Sequence, residues 1–76
     1  MLKLGTLVKA KRDIYNNPFT FDTNRKISVT KDTQGVIYAI DDDPHHPFDV
    51  AFANGTKLIL QVVMPSEVEE LFPVTN

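Results

Sequence analysis

The chain contains no cysteine and no tryptophan. Without thiols it has neither disulfide staples nor thiolate metal ligands, so packing or a partner subunit must stabilise it. Serine is scarce, limited to Ser28 and Ser66, and Ser66 is explained as a helix cap. Carboxylates cluster only in acidic runs, with no apolar pocket implied around them to shift a pKa. The sequence therefore offers no catalytic residue, no cofactor motif and no expectation of an enzyme. No apolar run approaches the roughly 20 residues a membrane-spanning helix needs. Leu4-Gly5-Thr6-Leu7-Val8 is too short for the apolar core of an export signal, and Lys9 ends it. The expected setting is the cytoplasm, away from any membrane.

What is present is the composition of a small folded domain. Of 76 residues, 42% are hydrophobic, and the few Gly and Pro residues fall mostly between apolar runs. One domain, 1–76, is expected. A chain this short buries only about 60% of its unfolded surface, so its margin of stability is thin. Charge is split along the chain: residues 1–38 carry 7 basic and 3 acidic residues, and 39–76 carry 1 basic and 7 acidic. The sequence pI near 5.5 disfavours a phosphate-binding role. If strands from the two halves interleave, these charges mix instead of forming two faces.

The central stretch reads as β-hairpins. Gly35 opens the apolar run Val36-Ile37-Tyr38-Ala39-Ile40. A polar tip, Asp41-Asp42-Asp43-Pro44-His45-His46-Pro47, leads into Phe48-Asp49-Val50-Ala51-Phe52, which alternates as a half-buried strand does. Asn54-Gly55 predicts a two-residue turn into Thr56-Lys57-Leu58-Ile59-Leu60. The expected core is Val36, Ile40, Val50, Phe52, Leu58 and Leu60, with Val8 and Leu71.

Toward the N-terminus, Val8 and Ala10 alternate with Lys9 and Lys11, the pattern of another half-buried strand. From Tyr15 to Lys26 the texture is that of a long connection, with Phe19 and Phe21 in a polar run and a short strand expected near Lys26 to Thr30. Pro65 to Phe72 predicts one helical turn. Ser66 would be its N-cap and Glu69 would complete the capping box. Val68, Leu71 and Phe72 would point inward, and Pro73 would end the turn.

The order is Leu4-Gly5-Thr6-Leu7-Val8-Lys9-Ala10, then Lys31-Asp32-Thr33-Gln34-Gly35-Val36-Ile37, then Phe48-Asp49-Val50-Ala51-Phe52. Asn54-Gly55-Thr56 and Pro65-Ser66-Glu67-Val68-Glu69 complete it. This order resembles Src-homology-3-like barrels. It looks most like the small bacterial group of the ferredoxin–thioredoxin reductase variable chain, the nitrogen-fixation Z-type proteins and the nitrile hydratase β-chain barrel. The resemblance implies an all-β, five-stranded barrel with a long early loop and a short C-terminal helical turn. It is a resemblance of fold and carries over no functional residue.

Three regions could carry function. The Asp41–Pro47 tip has carboxylates and imidazoles that suit divalent ions, but neighbours on a hairpin tip seldom face one centre, so a solvated loop is expected and no metal ligand is assigned. Lys9, Lys11, Arg12, Arg25, Lys26 and Lys31 could track a nucleic-acid backbone, with nearby aromatic rings for stacking. The long connection offers Tyr15, Phe19, Phe21, Arg25 and Lys26 as a partner-binding set, since small domains bind through loops held by a rigid sheet. The reading that follows is a small non-catalytic protein-binding or regulatory module. Its alternative is a nucleic-acid-binding barrel using the Lys9–Lys31 region, and weak homo-oligomerisation through strand edges is a third reading.

Overall fold

The computed structural model describes residues 2–15 and 26–72. Its strands are β1 (Leu7–Ala10), β2 (Ile14–Tyr15), β3 (Ile27–Val29), β4 (Gln34–Ile40), β5 (Phe48–Asn54), β6 (Lys57–Val63) and β7 (Val68–Glu70). One 3₁₀ turn, Pro65–Glu67, separates β6 from β7. The fold is all-β, as the alternation predicts. Strands β6-β5-β4-β1-β7 form one five-stranded sheet in that order, and β2-β3 form a two-stranded sheet. Every pairing is antiparallel.

The expected barrel is not closed. β6 and β7 stand at opposite edges of the five-stranded sheet and do not pair with each other. β7 has only three residues, all of them registered on β1, and the chain uses Pro65–Glu67 to cross between the edges. The long early connection contributes the separate β2-β3 hairpin, which closes over the inner face of the sheet.

Alternation along each strand decides what that inner face buries. β1 turns Val8 and Ala10 inward, β4 Ile37, β5 Val50 and Phe52, β6 Val63, and β7 Val68. Ile14 and Val29, directly opposed across β2 and β3, complete the core from above. Val8, Val50 and Phe52 occupy the core as expected, but Val36, Ile40, Leu58, Leu60 and Leu71 do not. β6 is aliphatic on both parities, and the odd-numbered residues win the inner face. Gln61 is carried inside with them, where its Nε2 donates to the Tyr15 carbonyl at 3.4 Å and the Val62 carbonyl at 3.2 Å. These bonds keep its amide satisfied.

Two local expectations shift by a residue or two. Asn54 pairs with Lys57, so the turn residues are Gly55-Thr56 and not Asn54-Gly55. Gly55 has φ +63°, the left-handed value that favours glycine there. Ser66 and Glu69 do not cap the helical turn. Pro65 takes its first position, where a missing N–H costs nothing. The Glu67 carboxylate accepts the Met64 N–H at 2.8 Å. Glu69 falls in β7 instead, Val68 points inward, and Phe72 is exposed.

The charge asymmetry is mixed by the pairing of β1 with β7. Lys9 Nζ lies 3.4 Å from Glu69 and 3.9 Å from Asp32, and Arg12 lies 3.7 Å from Glu67. Glu67 and Glu69 thus bring acidic partners from the C-terminal half to the basic N-terminal half, while Asp32 belongs to the N-terminal half itself.

Candidate interaction surface

The face of the sheet turned away from β2-β3 is apolar. Leu7, Val36, Ala51 and Leu60 stand in one register row across β1, β4, β5 and β6. The Leu71 N–H donates to the Leu7 carbonyl at 2.9 Å, which extends the row past β1. In the next row Ala53 is paired with Leu58. Small side chains lie in the middle and large ones at the sides. The result is a groove of about 510 Å³, bounded by Leu7, Val36, Ala51, Ala53, Leu58 and Phe72 among others.

These large side chains meet water. Leu58 is 67% exposed, Leu60 63% and Phe72 73%. Fully burying one such side chain is worth about 1.5–3 kcal/mol, so several neighbouring ones left open are costly to solvate. Contiguous apolar surface of this kind marks interaction sites.

Charge is confined to the margins of this face. Lys9 and Glu69 are paired at one end. Asp49 sits at the other, between Ala39 and Val62. Burial first, then the hydrogen bond and the charge of Asp41, push the Asp49 carboxyl up to about 6. The carboxyl is therefore protonated below about pH 6 and carries its charge above it.

The sequence-predicted partner set falls elsewhere. Tyr15 ends β2 and is half-buried, and Lys26 is exposed just before β3. Both belong to the layer that covers the inner face. Phe19, Phe21 and Arg25 lie outside the described residues. Of the basic set, Lys9 and Arg12 are ion-paired, while Lys11 and Lys31 are exposed.

The acidic–histidine tip folds back on itself. Asp43 Oδ1 accepts the N–H of His45 at 2.8 Å and of His46 at 3.2 Å. These bonds hold the Asp43 carboxyl below its ordinary value. His45 is exposed, but His46 is buried, so the tip is not uniformly solvated as expected. Among the described residues no three His, Asp or Glu side chains converge as metal ligands would. No helix among them is long and apolar enough to cross a membrane.

The outer face was absent from the sequence-predicted sites because its leucines were assigned to the core. One signal did point to it. Val50-Ala51-Phe52-Ala53 and Leu58-Ile59-Leu60 are apolar on both parities. Antiparallel strands with one wet face alternate cleanly, whereas strands covered on both faces read as continuous apolar runs.

No family model matches the chain, and neither a curated protein nor a solved structure matches it.

Proposed function

We propose that this chain is a small non-catalytic interaction module of the Src-homology-3-like kind, and that it engages its partner through the outer face of the five-stranded sheet. The carrying observation is the register row Leu7–Val36–Ala51–Leu60, flanked by exposed Leu58 and Phe72. The strand order β7-β1-β4-β5-β6 supports the resemblance of fold. So do the long arm between the first two strands of that sheet and the 3₁₀ turn before the last. A module role also fits the charge pattern, since the ion pairs of Lys9 and Arg12 weaken the basic region that nucleic acid would need.

The test compares the parent with a Leu58→Lys, Leu60→Lys variant at matched folding. The reading expects a protein ligand held by the parent and lost by the variant, with an unchanged circular dichroism spectrum. Equal retention by both would reject the face as the interface. Retention of the parent on heparin until salt is raised would favour the nucleic-acid reading instead.

A further inference from the structure

We propose that the occupant of the outer face is a second copy of this chain, packed sheet against sheet about a two-fold axis that runs along β4. The proposal rests on the interaction-module reading above and names its partner. β4 is the middle strand of the five, with β5 and β6 on one side and β1 and β7 on the other. The register row reads Leu71, Leu7, Val36, Ala51, Leu60 from one edge to the other. A half-turn about Val36 exchanges the two sides. Each Leu7 then meets the partner copy's alanine at position 51, and each Ala51 receives the partner copy's leucine. The large side chain on one flank of β4 fits the small one on the other, so the surface is complementary to itself, as a two-fold interface requires.

The next row along β4 is mixed under this axis: Lys9 falls on the partner copy's alanine at position 53, and Glu69 on its leucine at position 58. Gln34, one row along β4, faces its own equivalent, and a side-chain amide both donates and accepts. Leu71 and Leu60 fall at the corners. Stacked twisted sheets meet at about −30° and splay there, so the corners take bulk.

The area is that of a small interface. β5 and β6 have seven residues each, which at about 3.4 Å per residue span roughly 24 Å. With β1 and β7 only four and three residues long, the five strands, about 4.8 Å apart, give a flat footprint of roughly 450 Å². The relief of the leucine ridges adds accessible area to this footprint, which places the contact at the small, weak end of interface sizes. The basic charge at the margin does not oppose the contact, because Lys9 is already matched by Glu69 within each copy.

The experiment is sedimentation velocity from low to high micromolar protein on four chains: the parent, Leu7→Ala, Ala51→Leu, and the double swap. Leu7 and Ala51 are separated by β4 but line the same groove, so the interfacial coupling is the part of the rescue that appears in association and not in melting at low concentration. The parent is expected to shift from the 8.6 kDa monomer to a species of twice that mass. Each single substitution should weaken this association by about tenfold or more, and the double swap should restore it. Circular dichroism and melting of each variant at low concentration show that folding is intact. A parent that stays monomeric throughout overturns the second copy. A dimer indifferent to the singles, or a double swap as weak as Ala51→Leu, overturns the axis along β4. A photo-crosslinker at position 53 in native host extract separates this failure from that of the module reading. Adducts to a different protein, with no self-adduct, leave the module standing with another partner. The absence of any adduct removes both.

Discussion

Gly35 on β4 lies directly opposite Phe52 on β5, and a Cβ at residue 35 would stand 2.9 Å from ring carbon Cδ1 of Phe52. The same Cβ would come within 2.7 Å of the Ala51 carbonyl oxygen and 2.8 Å of Val50 Cγ1. The bare backbone at residue 35 leaves room for Phe52, the largest fully buried side chain. Gly35→Ala should therefore destabilise the fold by about 1–3 kcal/mol through overpacking. Urea unfolding followed by circular dichroism measures this, and an unchanged midpoint would mean that Phe52 is not seated there.

Val50 and Leu60 separate the two faces of the sheet. Val50 is fully buried, and Leu60 is mostly exposed. Val50→Ala should cost about 1–3 kcal/mol through lost burial and a cavity. Leu60→Ala at low protein concentration should stay within about 0.5 kcal/mol. Denaturant midpoints of the two variants check the pair. The opposite ranking would put the core on the other face.

Glu67 is acidic and only 6% exposed. Its carboxylate accepts the Met64 N–H at 2.8 Å and lies 3.7 Å from the Arg12 guanidinium. Glu67→Ala should cost about 1–3 kcal/mol, because it strands the Met64 N–H and opens the last turn before β7. Arg12→Ala should cost less than about 1 kcal/mol, since that guanidinium is largely in water. Thermal melts of both variants would measure the difference.

The Asp49 carboxyl has its pKa pushed up to about 6, above the ordinary value of 3.8. Between these two values the folded chain binds more protons than the unfolded one. Its contribution to stability is thus present below pH 3.8 and lost as pH rises through about 6. Asp43 has the opposite sign. Its lowered pKa stabilises the fold above the ordinary carboxylate value, and that support is lost in acid. Asp49→Asn should remove part of the decline in stability between about pH 4 and 6.5. Unfolding free energies of parent and variant across that range would reveal it, and parallel curves would show that Asp49 does not titrate as described.

The strand β5 was legible because Phe48, Val50 and Phe52 outweigh Ala51 and Ala53, so its parity is set by size. Gly55 marked its turn for a conformational reason. β6 was not legible. Leu58, Ile59, Leu60, Val62 and Val63 leave both parities apolar, and hydrophobicity alone cannot say which side the β2-β3 hairpin covers. That single ambiguity moved Leu58 and Leu60 from the expected core to the outer surface. Ile14-Tyr15 went unrecognised as a separate strand because two residues carry no periodicity. The helical turn was misplaced because Ser66-to-Glu69 and Met64-to-Glu67 have the same spacing, and Pro65 favours the second by starting the helix.

The most direct test of the outer face as a surface made for contact, and not for folding, is thermal unfolding of Leu58→Lys, Leu60→Lys as a function of protein concentration. The parent's midpoint should rise with concentration, because association stabilises only the folded chain. The variant's midpoint should stay constant and coincide with the parent's at high dilution. A variant that is unfolded, or far less stable than the parent at every dilution, would contradict the account and return these leucines to the core.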